Sequence, residues 1–150
     1  MKAPISLLLL LTFLSACASG PSKEELDAEV KRLCAIDGGV KVYETVKLPA
    51  DKYSRYTQKL TTMPYQNLKD DDEYYVVWEV AKLREGSPSL RRDQFQIVRR
   101  FDSKLLGETV SYARRGGDMP GPWHESSFRC PEHADDVFLA RRVFIQLNGE

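Results

Sequence analysis

Three segments in the middle of the chain have the composition of β-strands, and short turns separate them: 74–83, 93–101 and 106–112. The first is rich in β-branched and aromatic residues and carries apolar side chains on both faces, which predicts a central strand covered on each side. In the second, Phe95, Ile97 and Phe101 share one face. Consecutive strands joined by short turns predict an antiparallel meander at the centre of the fold.

A helix is predicted before these strands, over residues 22–36. Ser22 and Glu25 have the spacing of a capping box, in which each side chain accepts a hydrogen bond from the other residue's backbone N–H. The apolar residues that follow recur at the spacing of one helical face: Leu26, Val30, Leu33 and Cys34. Gly38 and Gly39 predict the end of the helix, because glycine tolerates the left-handed conformation of a C-terminal cap.

Two further strands complete the predicted sheet. Residues 40–48 alternate apolar and polar side chains, as a half-buried strand does. Residues 137–147 align apolar side chains on one face and are predicted to form the last strand. The mixed pattern of residues 50–72 predicts a short helix or an irregular segment. The sequence thus predicts an α+β fold, with the N-terminal helix packed on a mostly antiparallel sheet of about five strands.

The composition places limits on the class of protein. A length of 150 residues predicts one domain, which we assign to residues 22–150. The chain has 22 Lys+Arg and 22 Asp+Glu, and this balance argues against nucleic acid as a partner, because nucleic-acid-binding domains are strongly basic. A hydrophobic content of 42% is too high for a disordered chain.

The first sixteen residues have the features of a signal peptide. Lys2 supplies the positive charge, and residues 5–14 are an almost unbroken apolar run. About ten residues is the length of a signal-peptide core, whereas a membrane-spanning helix needs roughly 20. We therefore expect residues 1–16 to be removed. An ordinary secretory cleavage near Ala16-Cys17-Ala18 would leave a soluble periplasmic protein.

The segment Leu14-Ser15-Ala16-Cys17 resembles the lipobox of bacterial lipoproteins. In that family the cysteine sulfur is lipidated, the peptide is cut before the cysteine, and the new amine is acylated. The resemblance implies acyl chains such as palmitate on Cys17, which would anchor the protein in the lipid bilayer. Residues 17–21 then form the attachment point and a short tether. Ala18, in place of Asp, implies the outer membrane, with the domain facing the periplasm.

The two remaining cysteines, Cys34 and Cys130, form an even pair in an oxidising compartment, which predicts a disulfide. The bond would close a loop of about 96 residues, for which the chain-entropy model gives about 4–5 kcal/mol. The alternative is a zinc site, because Cys130 and His133 have C-x-x-H spacing and His124 lies nearby. A second close pair of ligands is missing from the sequence, and we predict no metal and no other cofactor.

Residues 114–131 form the most unusual stretch, with three Gly and three Pro among eighteen residues. Long loops in small domains often carry function. Trp123 and His124 are candidates for a recognition tip, and Arg114 and Arg115 are candidates for binding an anion. The alternative is structural: Trp123 would plug the core beneath the loop.

Basic residues are concentrated between Arg84 and Arg115, where eight basic and four acidic residues give a net charge of +4. Arginine doublets occur at 91–92, 99–100, 114–115 and 141–142. Because side chains alternate along a strand, each doublet sends one arginine to each face. An outward stripe would bind phosphates or carboxylates, whereas the alternative is ordinary cross-strand pairing with glutamates.

Residues 34–49 and 111–131 resemble motifs of small proteobacterial lipoproteins to which no activity is assigned, so the resemblance implies no reaction. No nucleophile, zinc-protease or phosphate-loop motif occurs in the sequence. We therefore expect a non-catalytic interaction or structural module, whose partner is another envelope protein or an anionic envelope polymer. The alternative is an enzyme or a small-ligand or glycan binder that acts on envelope polymers through the 114–125 loop.

Overall fold

Residues 20–58 and 68–147 are described by the computed structural model, and they form three helices and seven strands. In chain order these are α1 (Lys23–Asp37), β1 (Gly39–Val42), β2 (Val46–Leu48), α2 (Ala50–Gln58), β3 (Tyr74–Arg84), β4 (Ser89–Arg99), β5 (Lys104–Arg115), β6 (Ser127–Cys130), α3 (Asp136–Val143) and β7 (Phe144–Gln146). The predicted signal peptide and the Cys17 lipidation site lie outside the described residues.

The predicted meander is present and forms the centre of a five-stranded antiparallel sheet. β3 pairs with β4, and β4 pairs with β5. β1 and β6 both pair with the other edge of β5, β1 along residues 107–110 and β6 along residues 112–115, so these two short strands lie end to end. With the N-terminal helix packed on this sheet, the fold is α+β as predicted.

α1 packs on one face of the sheet. The predicted capping box is formed: Ser22 Oγ accepts a hydrogen bond from Glu25 N at 3.2 Å, and Glu25 Oε2 accepts one from Ser22 N at 2.7 Å. The buried residues of this interface are Leu26, Val30 and Cys34 from α1, Leu90 from β4, and Val110 and Tyr112 from β5. Burial of these apolar side chains, at about 25 cal/mol per Å², holds the helix on the sheet.

A disulfide joins α1 to β6. The sulfur atoms of Cys34 and Cys130 lie 2.02 Å apart, as the sequence predicted. The bond therefore connects the first helix to the short strand on the far edge of β5. Because the Cys130 sulfur is bonded to Cys34, it is not available as a thiolate ligand for the alternative zinc site. Within residues 20–58 and 68–147, no group of three or more His, Cys, Asp or Glu side chains is placed to hold a metal ion.

The opposite face of the sheet is covered at one end by α2, α3 and β7. The buried residues here are Leu48, Tyr56, Tyr74, Val76, Ile97, Leu106, Leu139, Ala140, Val143 and Phe144. Gly107 of β5 allows α3 to lie directly on the sheet, because a Cβ at this position would lie 2.8 Å from Val143 Cγ2 and 3.2 Å from Leu139 Cδ1. The remainder of this face carries the candidate site.

The predicted last strand over residues 137–147 is wrong for most of its length. The Asp135 carboxylate accepts a hydrogen bond from Phe138 N at 2.7 Å and caps α3. The buried residues of this segment are Asp136, Leu139, Ala140 and Val143, which recur at helical spacing. A three-residue strand, β7, follows, and it pairs in parallel with β2 outside the large sheet.

The predicted strand over residues 40–48 is divided in two. The backbone N–H groups of Tyr43 and Glu44 both donate to Leu106 O, at 2.8 Å and 3.0 Å, and the chain leaves the large sheet at this point. β2 then pairs with β7. Val42, expected on the buried face, is 38% exposed because it lies at the end of β1.

β3 is an edge strand of the described sheet and not the central strand that we predicted. Its apolar residues Trp78, Val80 and Leu83 are exposed. Phe101, expected to share the buried face of β4, lies just beyond the end of that strand and is also exposed. The short helix expected in the 50–72 segment is present as α2, whose Tyr56 is buried in the core.

Candidate functional site

An open groove with a volume of about 660 Å³ lies on the sheet face opposite α1, at the end that α3 does not cover. Four residues in register cross its floor, one from each neighbouring strand: Lys82, Arg91, Ala113 and Arg129. Directly opposed residues on adjacent strands point to the same face of a sheet. The register therefore brings together cations from β3, β4 and β6, which are far apart in the sequence.

Six basic and two acidic residues border the groove: Lys82, Arg84, Arg91, Arg114, Arg115 and Arg129 against Glu85 and Glu125. Two further carboxylates pair with these arginines, Asp27 with Arg114 and Asp93 with Arg91 and Arg129, so the net charge of the groove is +2. Two of the arginines are engaged by the protein backbone. Arg84 Nε donates to Pro88 O at 3.1 Å, and Arg114 is buried. The other four basic residues, which we call the groove cations, are Lys82, Arg91, Arg115 and Arg129.

Two of the groove cations are paired with the glutamates on the rim. Lys82 Nζ lies 3.1 Å from Glu85 Oε1, and Arg115 Nε lies 3.1 Å from Glu125 Oε2. All four of these side chains are more than half exposed. Exposed ion pairs contribute only about 0–1 kcal/mol, so a ligand anion can replace the glutamate at little cost.

Asp93 lies beneath the other two groove cations and is 2% exposed. Arg91 Nε lies 3.0 Å from Asp93 Oδ2, and Arg129 Nη2 lies 3.9 Å from the same oxygen. Neither carboxylate oxygen has a hydrogen bond with good geometry, so these contacts are ionic rather than directional. A buried carboxylate is stabilised by such neighbouring cations, and Asp93 in turn orients the Arg91 side chain.

Two buried hydroxyl groups lie beside Asp93 on the same face of the sheet. Ser111 is the cross-strand partner of Asp93, and Thr109 is two residues further along β5. Both residues are fully buried, and neither Ser111 Oγ nor Thr109 Oγ1 has a hydrogen-bond partner. Buried polar groups without a hydrogen-bond partner are rare in folded proteins and cost about 1–3 kcal/mol each. These two hydroxyl groups therefore lower the stability of the domain.

An aromatic surface continues from the groove along the edge of the sheet. Trp78 of β3 is directly opposite Phe95 of β4, and their rings stack with centroids 5.6 Å apart and planes 12° apart. Trp78 is 58% exposed, and Val80 lies between it and Lys82 on the same face. The open half of the sheet therefore presents cations at one end and apolar surface at the other.

Arg114, one of the predicted anion-binding residues, has a structural role. It is 2% exposed and faces α1 rather than the groove. Its guanidinium group donates five hydrogen bonds, two to the Asp27 carboxylate and three to the backbone and hydroxyl oxygens of Gly116 and Ser126. Arg114 thus fastens the 114–126 loop to α1, and its donors are already used.

The other three candidates from this loop are exposed, but only Arg115 borders the groove. Trp123 Nε1 donates to Met119 O at 3.2 Å, and Trp123 lines a separate hollow of about 270 Å³. Since Trp123 is 61% exposed, the interpretation that it plugs the core is wrong. His124 is exposed and lines neither hollow.

The 114–126 loop is also fastened to the first turn of α1. The Asp118 carboxylate accepts hydrogen bonds from Lys23 Nζ at 2.7 Å and from the backbone N–H and hydroxyl of Ser126. These donors, with Lys23 the strongest, hold the pKa of Asp118 well below its usual range. Gly20, which precedes α1, lies so close to the Arg84 guanidinium group that a side chain at this position would collide with it. The groove therefore lies at the end of the domain where α1 begins.

Two of the four arginine doublets, 91–92 and 114–115, divide between the two faces as strand alternation predicts; the prediction is wrong for the other two, because Arg100 follows the end of β4 and 141–142 lies in α3. Arg91 borders the groove, whereas Arg92 lies on the α1 face and contacts Asp37 at 3.3 Å. Arg99 pairs with Glu44 and Asp102. The doublet arginines form ion pairs with four aspartates and with two glutamates, Glu44 and Glu125, neither of which lies in a strand.

Three residues of the site were not singled out from the sequence: Lys82, Asp93 and Arg129. None belongs to a recognisable motif, and their convergence depends on the strand register. The +4 segment between Arg84 and Arg115 was the available signal, since it contains two of the groove cations.

Comparison with known proteins does not assign the site. No protein-family model matches the chain, and neither the curated proteins nor the solved structures include a significant match. Within the described residues, no helix is long and apolar enough to cross a membrane.

Proposed function

We propose that this protein is a lipid-anchored, non-catalytic protein of the bacterial cell envelope that binds an anionic envelope component in its groove. The observation that carries this proposal is the net charge of +2 in an open groove of about 660 Å³, with four basic side chains from four strands along it. The signal-peptide features and the lipobox-like Cys17 support a location at the periplasmic face of the outer membrane. The proposed partner is an anionic polymer or lipid of that compartment.

The geometry of Arg91 suits recognition of phosphate or carboxylate. Its Nε lies 3.0 Å from Asp93 Oδ2, and the Arg91 side chain is 48% exposed, so a ligand anion can reach its guanidinium group. Planar guanidinium groups bind two oxygens of one anion at once, and a second guanidinium from Arg129 lies above the same carboxylate. Asp93 therefore acts as a positioning residue for two groove cations.

A catalytic function has less support. The chain has two histidines, His124 and His133, and both are exposed and lie away from the groove. Asp93 lies beneath two arginines, and both Asp93 and the neighbouring Ser111 hydroxyl are buried, so neither is exposed to a ligand in the groove. Anion binding requires only the exposed cations of the groove, whereas acid–base catalysis would need a proton donor or acceptor within reach of the ligand.

The alternative of a small-ligand binder using the 114–125 loop is also less favoured. Arg114 is engaged within the protein, which leaves Arg115 as the loop's contribution to anion binding. Trp123 lines a hollow less than half the volume of the groove. We therefore place the anion-binding function in the groove and not at the loop tip.

Isothermal titration calorimetry with polygalacturonate, a soluble carboxylate polymer, tests the proposal. The protein is the mature chain from residue 17 with the substitution Cys17→Ser, which removes the lipid. We expect binding that weakens as salt is added, because exposed charges are screened beyond about 10 Å at 0.1 M salt. The double variant Lys82→Gln/Arg115→Gln should bind at least several-fold more weakly.

A matched control removes two positive charges elsewhere on the surface. Lys47→Gln/Arg141→Gln changes exposed residues of β2 and α3 that do not border the groove. If both double variants weaken binding equally, the polymer responds to net charge and the groove is not the site. If the parent binds neutral dextran as tightly as polygalacturonate, the anionic class of partner is wrong.

A further inference from the structure

The cationic groove and the membrane tether lie at the same end of the domain. Gly20 is three residues after Cys17, and three extended residues span at most about 11 Å. Gly20 packs so closely on the Arg84 guanidinium that a side chain there would collide with it, and Arg84 borders the groove. A lipid on Cys17 would therefore hold this end of the groove near the surface of the bilayer.

Two large apolar side chains project from the same end. Met119 is 81% exposed and Trp123 is 61% exposed, and both belong to the loop that Asp118 fastens to Lys23 at the start of α1. Met119 and Trp123 line the same hollow, and adjoining exposed apolar side chains of this kind often mark a protein or membrane interaction surface. Tryptophan is enriched at the interface between lipid headgroups and water, because its ring is apolar and its N–H is polar.

The acidic residues at this end leave the groove itself positively charged. The Asp118 carboxylate is neutralised by Lys23, and the Glu25 carboxylate accepts the capping hydrogen bond from Ser22 N. The rim glutamates are fully matched by Lys82 and Arg115, which leaves Arg91 and Arg129 facing one buried carboxylate. With Arg84, the groove keeps a net charge of +2, whereas Glu24 and Glu25 lie outside it at the start of α1.

We propose that the tether end of the domain docks on the leaflet that holds its anchor, with anionic phospholipid headgroups in the groove and with Trp123 and Met119 in the interfacial layer. This inference rests on the proposed function, and it names phospholipid headgroups as the anion. The short tether favours this source over a polymer farther from the membrane. Each Lys or Arg near an anionic bilayer contributes about 1 kcal/mol, which is about fivefold in affinity.

Vesicle co-sedimentation tests the headgroup assignment with the unlipidated Cys17→Ser mature chain. Vesicles of phosphatidylcholine are compared with vesicles that also contain phosphatidylglycerol. We expect binding only to the vesicles that contain phosphatidylglycerol. Lys82→Gln/Arg115→Gln removes two cations, each of which contributes about fivefold in affinity, so this variant should bind about 25-fold more weakly. Lys47→Gln/Arg141→Gln should bind as tightly as the parent.

The possible outcomes separate the two proposals. Groove-dependent binding of phosphatidylglycerol vesicles supports the docking proposal. Groove-dependent binding of polygalacturonate without any vesicle binding overturns docking and leaves the proposed function intact. Failure to bind either probe overturns both. Equal binding to both kinds of vesicle overturns the assignment of an anionic headgroup.

Tryptophan quenching in the lipidated protein tests the orientation. The chain has two tryptophans, so Trp78→Phe leaves Trp123 as the only one, and Trp123→Phe leaves Trp78. Both variants are reconstituted in vesicles that contain brominated phospholipid. We expect strong quenching of Trp123 and weak quenching of Trp78, which lies on β3 away from the tether. Stronger quenching of Trp78 would overturn the proposed orientation.

Discussion

Replacing Arg114 with glutamine should strongly destabilise the protein, although its neighbour Arg115 can be replaced with little effect. The Arg114 side chain is 2% exposed and donates five hydrogen bonds, two of them to the Asp27 carboxylate. This guanidinium group links the 114–126 loop to α1, as does the contact between Asp118 and Lys23. The substitution removes the charge and most of the donors at once.

The expected loss in the free energy of unfolding depends on how deeply the Arg114 and Asp27 side chains are buried. Removing one partner of a buried ion pair costs about 3–5 kcal/mol, because the remaining charge is left uncompensated. The Asp27 side chain is 25% exposed, so water can solvate part of its charge. We therefore expect the free energy of unfolding to fall by about 3 kcal/mol. Arg115 is 76% exposed, and Arg115→Gln should change stability by less than about 0.5 kcal/mol.

Urea unfolding of the Cys17→Ser mature chain, followed by tryptophan fluorescence, measures both variants. The parent serves as the reference, and calorimetry with polygalacturonate on the folded variants separates stability from binding. A stable Arg114→Gln protein that has lost anion binding would refute the reasoning, because it would make Arg114 a ligand-binding residue. Equal stability losses for Arg114→Gln and Arg115→Gln would refute it as well.

Three other predictions concern the connections that shape the domain. Replacing Cys34 and Cys130 together with alanine should lower the free energy of unfolding by about 4–5 kcal/mol, because the bridge spans 96 residues; an unchanged urea midpoint would contradict the bridge. Gly107→Ala should cost about 1–3 kcal/mol in the same assay, because the new Cβ would lie 2.8 Å from Val143 Cγ2, and no loss would show that α3 does not press on β5. Because its pKa is lowered in the folded state, the Asp118 carboxylate should stabilise the loop at neutral pH and lose this effect as pH falls below about 4; an NMR titration that gives Asp118 an ordinary pKa would contradict its lysine contact.

The sequence predicted the elements whose signals are local. The capping box at Ser22 and Glu25 identifies the start of α1 without any tertiary information. The three strands of the meander follow one another with short turns, so their order and antiparallel pairing follow from their connections. The cysteine pair was predicted from compartment and number alone.

Elements whose conformation depends on tertiary contacts were predicted less well. The apolar residues of 137–147 fit a strand pattern, but Leu139 and Val143 also share a helical face, and burial over Gly107 favours the helix. Residues 40–48 keep a strand pattern through the bend at 43–45, and the choice of two different partner strands is invisible in the sequence. Apolar residues on both faces of β3 indicated a central strand, whereas Trp78 lies on an open edge.

The candidate site could be predicted only in part. The basic segment pointed to an anion-binding face, but strand register decides which arginine of a doublet borders the groove. Arg114 and Arg115 are neighbours in sequence, yet one is buried under α1 and the other is exposed. Arg129 lies outside the basic segment and joins the groove through β6, a four-residue strand within what was predicted to be a loop.

Mapping of backbone and arginine side-chain NMR shifts during a titration with inorganic pyrophosphate tests the groove most directly. We expect the largest changes on Arg91, Arg115 and Arg129 and on the Ser127 amide, and we expect Lys82→Gln/Arg115→Gln to reduce them. Shifts confined to α3 around Arg141, or spread evenly over the surface, would contradict the groove as the anion-binding site.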